Sequence, residues 1–178
     1  MKILVAEDEQ GISKTYQIML EDKGHEVTLT SDGAECVIVY GKALSKLADA
    51  SEKYVASHPP FDAVILDYRM PKMDGMEAAK AILEINPHQR IIFASAYVAT
   101  TILESVKQLG VVVELLQKPF DLEVMVEIVE DKSVYEELKK INVNVKAIKE
   151  LNPTHEQIRD LLQGLKKMHL NTPLIDCR

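Results

Sequence analysis

Four short, uninterrupted apolar runs constrain this chain most: Ile3-Leu4-Val5, Val64-Ile65-Leu66, Ile91-Ile92-Phe93 and Val111-Val112-Val113. A strand whose two faces are both covered needs apolar residues at every position, whereas a half-exposed strand alternates. The runs lie within five segments that read as strands, 2–6, 26–30, 63–66, 90–94 and 111–116. Helical periodicity fills the intervals at about 12–23, 34–57, 75–86, 99–109 and 121–131. Gly24 and Gly110 stand where glycines that end helices belong, and Pro87 stops the third helix. Strict alternation of strand and helix implies right-handed crossovers and one α/β, doubly wound parallel sheet.

Two segments exceed what such a sheet needs. The second helix runs for 24 residues, and Val37, Ile38, Gly41, Leu44, Leu47, Ala48, Ser51, Tyr54 and Val55 are expected to share one face. Its length of roughly 36 Å at 1.5 Å per residue would carry it beyond the sheet. After residue 131 the strands stop. Ser133 with Glu136 and Thr154 with Gln157 form capping patterns ahead of two amphipathic stretches, separated by Asn152-Pro153. An αα-hairpin is expected over 132–178, giving a domain at 1–131 and a helical C-terminal extension.

Charge divides at the same place. Residues 1–131 carry 12 basic and 22 acidic side chains, and residues 132–178 carry 9 and 6. An acidic first part disfavours phosphate-backbone contacts and suits a site that gathers carboxylates. No apolar run approaches the ~20 residues needed to cross a bilayer, and the N-terminal apolar stretch turns acidic at Glu7, too soon for a secretory signal. With only Cys36 and Cys177 there is no disulfide framework, so a reduced, cytoplasmic location is expected. Cys36 reads as a packing residue. His155-Glu156 lacks the second histidine of a zinc-protease motif, Arg159 standing there, and Gly41-Lys42 lacks the rest of a P-loop.

The chemistry collects at the carboxyl ends of the strands. Glu7 and Asp8 follow the first strand, Asp67 the third, Ser95 ends the fourth and Lys118 follows the fifth. In a doubly wound sheet these ends form the ligand crevice. Carboxylates brought together there repel unless a cation sits among them, and oxygen ligands without a His or Cys cluster favour Mg²⁺. Two acids, a central Asp, a hydroxyl and a lysine make a phosphoryl-binding site, with Asp67 placed as the nucleophile.

Glu7-Asp8, the stretch Leu66-Asp67-Tyr68-Arg69-Met70-Pro71-Lys72-Met73-Asp74-Gly75, Ser95-Ala96 and Lys118-Pro119-Phe120 together resemble the receiver domain of two-component response regulators, over about residues 1–131. The resemblance implies a flavodoxin-like sheet of order 2-1-3-4-5. It implies that Asp67 accepts a phosphoryl group from a sensor histidine kinase or phosphotransfer protein. Mg²⁺ would be held by Asp8, Asp67 and the backbone carbonyl of Arg69, with Glu7 acting through water. Lys118 would pair with the phosphoryl oxygens ahead of a cis Lys118-Pro119 bond, and Ser95 would move to hydrogen-bond the phosphoryl group. The protein would be a phosphoacceptor rather than an enzyme in the ordinary sense, signalling through protein–protein contacts, with homodimerisation open.

Departures from the family pattern stand beside the matches. Leu115 occupies a position usually aromatic, which puts the coupling to Ser95 in doubt. Tyr97 and Arg69 occupy positions that tune phosphoryl lifetime. A second reading makes the chain a phosphorylation-controlled transcriptional regulator whose basic hairpin binds DNA. The tail is short for such a domain and shows no helix-turn-helix. A pseudo-receiver that never turns over phosphate fits poorly with Glu7, Asp8, Asp67, Ser95 and Lys118 all in place.

Overall fold

A computed structural model describes residues 1–50, 59–96, 109 and 113–131. Its elements run β1 (Lys2–Ala6), α1 (Gln10–Asp22), β2 (Glu26–Thr30), α2 (Gly33–Ala50), β3 (Ala63–Asp67), α3 (Gly75–Ile85), β4 (Ile91–Ser95), β5 (Glu114–Gln117) and α4 (Leu122–Glu130). The far part of the expected second helix, the helix expected over 99–109, Tyr97 and the hairpin over 132–178 lie outside the described residues. Met1–Val126 forms one compact unit and Glu127–Arg178 a second.

The five strands make one parallel sheet in the order β2-β1-β3-β4-β5. The runs Ile3-Leu4-Val5, Val64-Ile65-Leu66 and Ile91-Ile92-Phe93 are the three interior strands, buried on both faces. The edge strands β2 and β5 are mixed in polarity and only partly buried, as an edge with one exposed row of backbone groups requires. Leu4, Ala6, Val64, Leu66, Ile91 and Phe93 face Cys36 and Tyr40 of α2 and Ala78, Ala79 and Ile82 of α3 in one apolar cluster. Alternation along the strands turns Ile3, Val5, Ile65 and Ile92 to the opposite face, the side on which α1 buries Tyr16 and Leu20. Each such side chain contributes about 1.5–3 kcal/mol on leaving water.

Local signals end the helices as the sequence suggests. Gly24 has a φ of 81°, its N–H donates to the Glu21 carbonyl and the His25 N–H donates to the Leu20 carbonyl. This is a Schellman closure that a Cβ at Gly24 would strain. Asp74 and Glu77 form a reciprocal capping box at the start of α3.

Three expectations need correction. Strand β3 includes Asp67 and β4 includes Ser95, because polar residues at a strand end still pair: Asp67 is opposite Ala94 and Ser95 opposite Gln117. Strand β5 runs from Glu114 to Gln117 and leaves Val113 outside it, while Val111 and Val112, expected in the strand, lie outside the described residues. The buried face of α2 runs through Cys36 and Tyr40, whereas Ile38, expected on it, is 57% exposed. Tyr40 fills the core position with a larger ring, stacked obliquely on Phe61 at 6.1 Å. Cys36 is a packing residue, as expected.

Candidate functional site

Parallel register brings the strand ends to one rim of the sheet. Ala6 lies beside Thr30 on one side and Leu66 on the other, so Glu7 and Asp8 emerge next to Asp67. Strand β1 lies between β2 and β3, and the connections leave β1 and β3 toward opposite edges. The carboxylates therefore flank the switch point of the fold.

One carboxylate oxygen each from Glu7, Asp8 and Asp67 lie within 4.8 Å of one another. Glu7 is buried, Asp67 half-buried and Asp8 exposed. The Lys118 ammonium reaches in from the end of β5 and donates to Glu7 Oε2 at 2.6 Å and to Asp67 Oδ2 at 2.9 Å. Among the described residues, Lys118 is ion-paired with two of these three carboxylates. Burial pushes the Glu7 carboxyl up; Lys118 opposes that shift and the neighbouring Asp67 adds to it. Burial works against the Lys118 ammonium, but its bonds to Glu7 and Asp67 outweigh burial and raise its pKa. The donor set is all hard oxygen and converges on one point, so it fits a divalent cation such as Mg²⁺.

Ser95, expected at the rim, ends β4 and is buried. Its carbonyl accepts the Lys118 N–H at 2.7 Å, which ties the two strand ends together. The Lys118-Pro119 peptide is cis. Leu115 lies partly buried against the core. Arg69 is exposed, and its backbone N–H points to Asp67 Oδ1 at 3.4 Å.

The segment after Asp67 is fastened along its length. Tyr68 meets Phe93 edge-on at 6.5 Å, and Met70 and Met73 pack on the core. Lys72 takes a φ of 63°, and its ammonium donates to the buried Asp32 carboxylate at 2.6 Å. The Gly33 N–H donates to the Met73 carbonyl, and the Gly75 N–H donates to the Tyr68 carbonyl. Two contributors were not evident from sequence. Asp32 carries a visible signal, an acid three residues before Glu35 at a helix start, and its Oδ1 accepts the Glu35 N–H. Tyr16 carries none, being one apolar-face residue of α1 among several, yet its ring lies 6.0 Å from the Lys118 ammonium.

Comparison with known proteins agrees with this geometry. Residues 3–130 match the response regulator receiver domain. The chain is 31% identical over 121 residues to the chemotaxis protein CheY of Treponema pallidum, covering 67% of this chain and 74% of that protein. It is 33% identical over 84 residues to probable histidine kinase 2 of Oryza sativa subsp. indica, covering 47% of this chain and 8% of that much longer one. The CheX–CheY–BeF₃–Mg²⁺ complex from Borrelia burgdorferi superposes with a TM-score of 0.58 at 25% identity, covering 71% of this chain and 84% of that one. The chain belongs to the response regulator receiver domain family, the phosphorelay component of two-component signalling.

Proposed function

We propose that Asp67 is the phosphoacceptor of this response regulator and that Asp8, Asp67 and the Arg69 backbone carbonyl, with Glu7 acting through water, take up Mg²⁺ beside it. The observation that carries the reading is the convergence of three carboxylate oxygens within 4.8 Å, with the Lys118 ammonium on Asp67 itself. When bound, Mg²⁺ would supply positive charge that offsets the repulsion between these carboxylates and an incoming phosphoryl group.

The chain's own residues account for the rest. An oxygen of Asp67 attacks phosphorus, the bond from phosphorus to the donor's imidazole nitrogen breaks, and the imidazole leaves with the electron pair. Lys118 already stands 2.9 Å from Asp67 Oδ2, so it needs only a small shift to follow the new charge onto a phosphoryl oxygen. Ser95 lies at the end of the adjacent strand, where its hydroxyl serves as the second donor to that group. Because the Ser95 carbonyl also holds the Lys118 N–H, movement at Ser95 is felt at the end of β5. This is a local hydrogen-bonding event biasing a surface, a population shift in the usual sense.

The protein acts as a stoichiometric phosphoacceptor of a sensor histidine kinase or phosphotransfer protein in the cytoplasm. Residues 132–178, outside the described residues, are proposed as the part of the chain that engages a downstream protein or a second copy. Among the described residues no helix is long and apolar enough to cross a membrane.

Acetyl phosphate with Mg²⁺ tests the assignment. Intact mass should rise by one acid-labile phosphoryl group, and Asp67→Asn or a chelator should abolish the gain. Labelling that persists in Asp67→Asn would move the acceptor elsewhere, and labelling indifferent to chelator would remove the metal from the mechanism.

A further inference from the structure

Tyr16, on α1 beside the site, is only 4% exposed. Burial pushes its phenol up to about 12, with the Lys118 ammonium opposing and Glu7 and Asp67 reinforcing that shift. It is therefore a neutral phenol within electrostatic reach of the whole rim. Its ring stacks on Phe120 with centroids 5.8 Å apart and planes inclined by 27°. Phe120 lies two residues past Lys118, so the aromatic pair joins α1 to the segment that carries the lysine. The Lys118 ammonium lies 6.0 Å from the Tyr16 ring centroid, within the range of a cation–π contact.

We propose that Tyr16 is a positioning residue for Lys118: its ring, backed by Phe120, is the wall that keeps the ammonium on the Asp67 side of the rim. A lysine side chain has four rotatable bonds and much rotamer freedom to lose on being held in one place. Glu7 and Asp67 hold the ammonium by direct bonds. Once Asp67 carries a phosphoryl group, its former carboxylate oxygens are no longer available in the same arrangement. A neighbour that stays put then determines where the ammonium can go. The Tyr16 ring is such a neighbour, because it is buried, stacked and independent of the phosphorylation state of Asp67. The ring lies 6.0 Å from the ammonium and stacks on Phe120, and the hydroxyl also interacts with Lys118, so Tyr16→Phe separates the two contributions.

The kinetic consequence rests on Asp67 being the phosphoacceptor, whereas the contact itself does not, and two measurements on the full chain separate them. The first is the NMR position of the Lys118 ε-methylene protons, which a nearby ring face shifts upfield. That shift should be present in the wild type, kept in Tyr16→Phe and lost in Tyr16→Leu. The second is the rate of phosphoryl uptake from radiolabelled acetyl phosphate at saturating Mg²⁺. Tyr16→Phe should stay within about twofold of wild type, and Tyr16→Leu should fall by about 2- to 30-fold, the range spanned by cation–π contacts. A role confined to core packing would leave the Lys118 resonance unmoved by loss of the ring. An unshifted Lys118 resonance in the wild type overturns the proposal even where Tyr16→Leu fails to fold. So does a Tyr16→Leu variant that is folded and as fast as wild type. A wild type that shows the ring shift but takes up no phosphoryl group refutes the phosphoacceptor assignment and leaves the Tyr16–Lys118 contact standing.

Discussion

Replacing Gly75 with alanine should damage both the fold and the site, through one atom. Gly75 opens α3, and its N–H closes the segment after Asp67 by donating to the Tyr68 carbonyl at 3.1 Å. A Cβ there would overlap the Asp67 carbonyl oxygen and stand 3.0 Å from the Asp67 carbonyl carbon and 3.2 Å from Tyr68 Cα. All three obstacles are backbone, so no rotamer change relieves them. An extra methyl in so tight a place costs about 1–3 kcal/mol. Loss of chain freedom in the unfolded state returns roughly 0.4–1 kcal/mol. The net is a destabilisation of up to about 2.6 kcal/mol, or a melting temperature lower by up to about 10 °C at this chain length. Gly41→Ala is the matching control: it lies inside α2 with nothing within 4 Å of the added carbon, and it should gain up to about 1 kcal/mol. Thermal melts by circular dichroism compare the three proteins, and calorimetric titration with Mg²⁺ reports the site. Gly75→Ala should also bind Mg²⁺ more weakly, because the atoms it displaces belong to Asp67. A Gly75→Ala protein with wild-type stability and wild-type Mg²⁺ affinity would refute the close-approach argument.

Other outcomes follow from burial and charge. Stability should fall in alkali. Burial pushes Cys36 from 9.0 and Tyr16 from 10.0 each up to about 12, and Tyr40 is raised further by burial alone. The folded protein therefore keeps protons that the unfolded chain releases. The stability these groups contribute is full below about pH 9 and is lost as pH rises through the folded values, by about 1.4 kcal/mol per pH unit for each titrating group. Denaturation midpoints that stay flat across that window would contradict the assigned burial. Tyr40→Phe should stabilise by about 1 kcal/mol, because the phenol oxygen is buried without a hydrogen-bond partner in the described structure and its removal ends a desolvation cost. Tyr40→Ala should cost about 3–5 kcal/mol. Ile38→Ser, on the exposed face of the same helix, should change stability by no more than about 0.5 kcal/mol, and urea unfolding distinguishes the three.

Much of the site was legible because its residues are defined by position along single strands. Glu7, Asp8, Asp67 and Ser95 sit at the ends of apolar runs and Lys118 just past the fifth strand, and parallel pairing then requires those ends to meet. The interior strands β1, β3 and β4 each carry an uninterrupted apolar run, but so does the segment expected as the fifth strand, and it is the pairing order that places β5 at an edge. The face of α2 was less legible. Val37 and Ile38 look as apolar as Cys36 and Tyr40, and hydrophobicity alone does not say which arc of a helix lands on the sheet. The helix rotation is set by the volume available over Phe61 and β3, where the Tyr40 ring fits.

The amino-acid order by itself determined the strand–helix alternation, the parallel sheet, the helix caps at Gly24 and Asp74, and the rim that gathers the carboxylates. These depend on periodicity and on residues close in the chain, where backbone geometry leaves few choices. Tertiary structure alone decided the ion pair of Lys72 with Asp32, the clash that reserves position 75 for glycine, and the placing of Tyr16 against Lys118. Each of these joins residues from separate elements. Their meeting depends on how side chains of particular size and charge fill the space between a helix and a sheet, which is a property of the packed molecule and not of any one segment of the sequence.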